Sequence, residues 1–189
     1  MLKTKALKIF ENTGAFLEGH FLLTSGLHSP HYFQCAKVLQ YPKYTELLCQ
    51  DIVKNFKSDK IDCVISPAVG GLIVGQECAR LLGCRAIFAE RENGVMSLRR
   101  GFEIRHDERV LVVEDVVTTG GSVLEVVELV KGSGADVAGI GIIVDRSGGK
   151  QLFEEPHFSV LQMDVVTHKP EKCPLCVEGL PLVKPGSRT

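Results

Sequence analysis

Two adjacent carboxylates, Glu114 and Asp115, end the strongest β-branched run of the chain. Five small residues, Thr118-Thr-Gly-Gly-Ser122, follow almost at once. Ionised carboxylates are acceptors only and suit the hydroxyls of a sugar. Successive backbone N–H groups in a glycine-rich loop that opens into a helix make a compact anion site, helped by the helix dipole. The hydroxyls of Thr118, Thr119 and Ser122 add donors. The pattern therefore offers a phosphate cradle beside acceptors for two vicinal hydroxyls, about one ribose away. A P-loop would need a Lys after its glycines, and none follows here; a Rossmann turn would place its acidic residue ~20 positions after its glycines, not before them. The plain alternative is a structural glycine-rich turn with incidental acids. Two acids closing a β-branched strand directly ahead of TTGGS argue against it.

The remaining candidates carry weaker patterns. His20, His28 and His31 cluster in sequence with no carboxylate or cysteine at ligand spacing, so a surface or hydrogen-bonded role is expected over metal binding. His106 reads as a solvated turn residue. His168, Cys173 and Cys176 would give three zinc ligands where a structural site uses four, with only acids such as Glu171 and Glu178 nearby. The ordinary reading is a C-terminal knuckle with reduced thiols.

Positioning these groups requires an α/β frame. Residues 2–17 have helical spacing ending near Gly14, and residues 19–39 carry Ser-Gly and Ser-Pro breakers between short apolar runs, as strand and turn do. Tyr44 to Phe56 is a helix with Leu47, Leu48, Ile52 and Val53 on one side. From residue 61 strands and helices alternate: 61–66, helix 72–83 closed by Gly83, strand 85–90, a mobile polar loop at 92–101, strand 109–114, helix 122–134, strand 137–145 and a last strand 158–166. That alternation predicts βαβ units, a mainly parallel sheet flanked by helices, and ligands beyond the strands' C-terminal ends. One domain is expected over residues 1–189, with a small N-terminal hood (1–60), a core sheet (61–168) and a tail (169–189).

Composition narrows the function. The chain has 189 residues, 44% hydrophobic and 24% charged, and a net charge of −1. Such a charge leaves no basic excess for a run of phosphates, so nucleic-acid binding is not expected. No apolar stretch of about 18 residues suggests a membrane span. The charged N-terminus lacks a signal-type block, and an odd seven cysteines, five of them scattered among apolar runs, fit a reducing compartment, so a cytoplasmic protein is expected.

The segment VVEDVVTTGGS resembles the phosphoribosyl-pyrophosphate motif of the type I phosphoribosyltransferase family. The resemblance implies that Glu114 and Asp115 hold the ribose hydroxyls. It also implies that Val116, Val117, Thr118, Thr119, Gly120, Gly121 and Ser122 line the 5′-phosphate pocket. SPAVGG (66–71) is similar to the family's pyrophosphate loop. LLTSG (22–26), HSPHYF (28–33) and VDRSGG (144–149) resemble the members that act on orotate. There Arg146 would pair with the base's carboxylate, a fit for a guanidinium fork, and Thr118 would lie beside the base.

The resemblance covers most of residues 16–168 and further implies a homodimer with shared active sites and Mg²⁺ held through substrate and waters near Glu114 and Asp115, with no direct protein ligand. Arg91, Arg99 and Arg100, of and beside the 92–101 loop, would meet pyrophosphate, across the subunit boundary. Members of this kind commonly carry Lys where this chain has Thr24 and Gly70, and Lys and His in the loop that here offers only arginines. Arginine neutralises the leaving charge but donates no proton near neutral pH. A purine or xanthine phosphoribosyltransferase, or a regulator that senses phosphoribosyl pyrophosphate, remains the alternative.

Overall fold

A strand whose residues are apolar without alternation needs cover on both faces, and Val110-Leu-Val-Val113 is such a run. In the computed structural model, which describes residues 3–23, 26–56, 60–163 and 166–185, this run lies inside a nine-residue strand with every one of the four side chains buried. The chain order is α1 (Lys3–Asn12), β1 (Phe16–Leu22), β2 (His28–Phe33), α2 (Cys35–Leu39), α3 (Pro42–Asn55), β3 (Cys63–Pro67), α4 (Leu72–Leu82), β4 (Arg85–Glu92), β5 (Val95–Leu98), β6 (Arg109–Val117), α5 (Gly121–Gly132), β7 (Asp136–Asp145), β8 (His157–Gln162), a 3₁₀ turn (Pro170–Lys172), α6 (Pro174–Val177) and β9 (Leu182–Val183). No helix among the described residues is long and apolar enough to cross a membrane.

Six strands form the main sheet in the order β5-β4-β3-β6-β7-β8, parallel except for the antiparallel β4–β5 pair. Successive side chains of a strand point to opposite faces, and the two faces bury different helices. Val64, Leu111, Val113 and Ile143 pack with α1, α3 and α4, while Ile65, Val110, Val112, Ile140 and Ile142 pack with the valines of α5. Pro42 opens α3 at a position where its missing N–H costs nothing, and Gly83 closes α4 in the left-handed conformation (φ 71°). A smaller sheet, β2-β1-β9, forms the hood, with β1 antiparallel to β2 and parallel to β9.

The mainly parallel sheet, its flanking helices and the N-terminal hood agree with the expectation. Two expectations need correction. The segment expected as a mobile polar loop, 92–101, is largely a β-hairpin: β4 runs on to Glu92 and β5 pairs back onto it. Asn93 and Gly94 take the positive φ values (52° and 85°) of a two-residue turn whose twist matches the strands, and Met96 is buried. Next, β6 continues to Val117, past the expected end at Glu114, so both acids lie within the strand rather than at its end. His20 and His28 take the hydrogen-bonded one of the two roles expected for them: both are buried, at 3% and 5% exposure, and their rings meet at 2.8 Å. The short α2 was not anticipated. Leu2, Thr24 and Ser25, and Asp164 and Val165 of the expected last strand, lie outside the described residues.

Candidate active site

The chain leaves β3 toward β4 on one side of the sheet and leaves β6 toward β7 on the other. Strands β3 and β6 are neighbours, so a crevice opens between their C-terminal ends, the position where open α/β sheets bind ligands. Three segments meet there: Ala68–Gly71 after β3, Thr118–Gly120 after β6, and Arg146 after β7.

Residues Val116 to Ser122 and Glu114 line a cup of about 180 Å³. Gly120 has φ 78°, open to glycine at little cost, and this turn aims the chain into α5. The first N–H groups of that helix have no partner within it, so the cup is lined by amides at the positive end of a helix. It adjoins a wider cleft of about 690 Å³ lined by Tyr32, Phe33, Cys35, Gly70, Asp115, Thr118 and Arg146, among others, and shares Val116, Thr118 and Thr119 with it.

The two carboxylates sit between cup and cleft. Glu114 Oε1 accepts from the Asp115 N–H (3.0 Å), and Asp115 Oδ1 accepts from the Val116 N–H (2.9 Å). Burial pushes Glu114 well above the usual carboxylate range, with the Asp115 charge adding to it, and burial also raises Asp115. The Cys35 thiol, 3.8 Å from the Asp115 carbonyl oxygen, is likewise pushed well up by burial and then by the two acids, so it is a neutral wall rather than a nucleophile. Gly70 passes directly over this pair. A Cβ there would lie 2.5 Å from Asp115 Oδ1, and one at Gly71 would lie 3.0 Å from Glu114 Oε1. This explains why no side chain stands at position 70.

Arg146 is 8% exposed, and its Nε and Nη2 atoms have no hydrogen-bond partner. Its guanidinium lies 5.9 Å from the Phe33 ring centroid, and burial lowers its pKa. A buried cation with idle donors costs stability unless an anion meets it. The arrangement can therefore bind two anionic groups, one at the amide cup and one at Arg146, with a pair of acceptors between them.

The arginines divide. Arg91 donates to Glu125 (2.8 Å) and reaches Ser122 Oγ at 3.5 Å, at the rim of the cup. Arg99 pairs with Glu92 at 3.4 Å, and Arg100 makes a two-pronged contact with Glu90 (2.7 and 3.0 Å). Neither Arg99 nor Arg100 lines the cup or the cleft. Cys35 was not foreseen as a site residue; nothing in its local sequence separates it from an ordinary core thiol.

A family model for the phosphoribosyl transferase domain matches residues 44–174, and the chain belongs to that family. Within it, the chain is 56% identical over 189 residues (100% of this chain, 98% of the relative) to the orotate phosphoribosyltransferase of Chlorobaculum parvum. It is 58% identical over 188 residues (100% and 99%) to that of a Thermoanaerobacter species. The crystal structure of orotate phosphoribosyltransferase from Aeropyrum pernix superposes with a TM-score of 0.67 at 26% identity, covering 83% of this chain and 93% of that one.

Proposed function

We infer that the chain is an orotate phosphoribosyltransferase: it transfers the ribose 5-phosphate group of phosphoribosyl pyrophosphate to a ring nitrogen of orotate, releasing pyrophosphate. The observation that carries this reading is Arg146, a buried guanidinium with two idle donors in the same cleft as Asp115 and Thr118. A donor sugar phosphate alone leaves that cation unmatched; a base bearing a carboxylate satisfies it. Full-length relatives of the same name support the same substrate.

In this reading the amides and hydroxyls of Thr118–Ser122, with Val116 and Val117 beneath them, hold the 5′-phosphate. Glu114 and Asp115 accept hydrogen bonds from the ribose hydroxyls. The reaction passes through a cationic sugar, so fixed geometry and negative charge near C1 carry most of the work. The Asp115 carboxylate supplies both, because its bond to the Val116 amide fixes it before substrate arrives. The amides of Ala68–Gly71 face the diphosphate, where the bare backbone of Gly70 permits close approach. Arg91, beside Ser122 at the cup's rim, adds positive charge next to the 5′-phosphate rather than the pyrophosphate expected for it.

Two buried carboxylates, each with its pKa raised, form a hard oxygen donor set short of positive charge, which fits Mg²⁺. When bound with the diphosphate, Mg²⁺ offsets the charge of the departing pyrophosphate. Arg99 and Arg100 act on the site of a second subunit. This rests on their absence from the lining of the cup and cleft and on an apolar groove on the α3–α4 side, lined by Leu39, Pro42, Leu72 and Ile73, beside exposed Tyr41 and Val69. Such a surface suits a homodimer, and cysteines that are mostly buried and joined in no disulfide suit the cytoplasm.

The test is loss of orotate absorbance with phosphoribosyl pyrophosphate and Mg²⁺, run beside adenine, hypoxanthine and xanthine. Turnover of orotate alone is expected. Turnover of a purine without orotate would overturn the assignment.

A further inference from the structure

The sequence left the cysteine pair at 173 and 176 one ligand short, with His168 as its nearest histidine. The structure supplies two different histidines from the other end of the chain. His20 on β1 and His28 on β2 meet Cys173 and Cys176 of the α6 knuckle, and the four ligand atoms all lie within 4.8 Å of one another. His168 is not among them; it instead pairs its backbone with that of His28 (2.8 and 2.9 Å).

We propose that His20, His28, Cys173 and Cys176 form a closed, four-ligand structural zinc site that fastens the C-terminal tail to the hood.

The distances fit the ion. In a tetrahedral site with Zn–N of about 2.0 Å and Zn–S of about 2.3 Å, nitrogen–sulfur separations come to about 3.5 Å and nitrogen–nitrogen to about 3.3 Å. Observed are Cys173 Sγ to His20 Nε2 at 3.6 Å, Cys176 Sγ to His20 Nε2 at 3.7 Å, and Cys176 Sγ to His28 Nδ1 at 3.3 Å. His20 Nε2 and His28 Nδ1 stand 2.8 Å apart and need move only about half an ångström to admit the ion.

The outer contacts fit as well. His20 Nδ1 lies 2.8 Å from the Leu180 carbonyl oxygen, a group that only accepts, so the ring proton sits on Nδ1 and the Nε2 lone pair faces the cluster. A histidine ligand oriented through its other nitrogen by a carbonyl is the usual support of a zinc site. A histidine–histidine hydrogen bond alone would account for one pair of atoms and leave two thiols gathered on it without cause. Two thiolates and two imidazoles select zinc over Mg²⁺ or Ca²⁺, and four protein ligands leave no open position for catalysis.

The site also has a clear structural task. Among the described residues, β9 pairs with two residues of β1, His168 bridges His28, and the Leu180 carbonyl meets His20. The tail is otherwise mostly exposed, so little apolar burial holds it. A metal bridging residues about 150 positions apart would supply the missing fastening. Because β2 carries Tyr32 and Phe33, the same clasp steadies one wall of the cleft.

The test is elemental analysis of the full chain, purified without added metal or chelator, with Cys176→Ser and His20→Gln variants and with mass spectrometry under non-reducing conditions. About one zinc per wild-type chain is expected, falling below about 0.1 in either variant. Cobalt-substituted wild type should give the intense visible absorption of a tetrahedral ion with thiolate ligands. If a variant fails to fold, wild-type stoichiometry and the cobalt spectrum still decide the matter. Less than about 0.1 zinc per wild-type chain, both as purified and after loading with Zn²⁺ and dialysis, would overturn the proposal. So would full zinc retention in Cys176→Ser, or a mass showing Cys173 and Cys176 joined as a disulfide.

Discussion

Gly70→Ala isolates the carboxylate pair without removing either acid. The new Cβ would lie 2.5 Å from Asp115 Oδ1, whereas ordinary contact begins at 3.4 Å, so carboxylate or loop must yield by about 0.9 Å. Nothing about the backbone opposes the substitution, since position 70 is not among the glycines with positive φ. If Asp115 moves, it loses its bond from the Val116 N–H at 2.9 Å, and a hydrogen bond to a charged group contributes roughly 1.5–3 kcal/mol. Carried into the transition state, that loss is roughly a 10- to 150-fold fall in kcat/KM. A misplacement near 1 Å in a positioning residue is expected to cost about as much. The assay is initial rate against phosphoribosyl pyrophosphate at saturating orotate. Gly132→Ala is the control: its Cβ meets nothing within 4 Å at the end of α5, and activity should be unchanged. A Gly70→Ala enzyme within twofold of wild type would refute the idea that Asp115 must keep its observed position.

Further outcomes follow from the same geometry. Arg146→Met should raise the orotate KM at least about tenfold with little change for the ribose donor, yet raise the melting temperature, because it removes a buried cation without a partner; equal KM changes for both substrates, read from steady-state kinetics, would contradict the carboxylate role. Burial raises the Glu114 pKa, so in the folded protein its ionisation costs stability that is absent below the unfolded carboxylate range and grows as pH rises through the folded pKa. Calorimetry should therefore find Glu114→Gln gaining on wild type with rising pH, by a few degrees at pH 8 if the relief is ~1 kcal/mol; a constant gap would contradict it. An Arg99→Ala/Arg100→Ala chain mixed and reassembled with an Asp115→Asn chain should recover about a quarter of wild-type activity if the loop serves its partner's site; no recovery would place those arginines elsewhere.

Much of this was legible in residue types. The run Val110–Val113 announced a strand covered on both faces, and the acids and glycines after it marked the amide-lined cup, because local chemistry alone specifies both. The Asn93–Gly94 hairpin was also written locally. Its charged neighbours made the segment read as a loop, although Asn-Gly between alternating residues is a strong turn signal. What spacing could not reveal depended on distant pairing. His20 and Cys173 stand 153 positions apart and meet where β9 pairs with β1 and His168 bridges His28. Cys35 reaches Asp115 across 80 positions for the same kind of reason.

A crystal soaked with orotidine 5′-monophosphate puts the site to its most direct trial. The account predicts phosphate oxygens within hydrogen-bond distance of the backbone amides of residues 118–122, both ribose hydroxyls on Glu114 and Asp115, and the base carboxylate on the Arg146 guanidinium. Nucleotide bound elsewhere, with the cup empty, would contradict it.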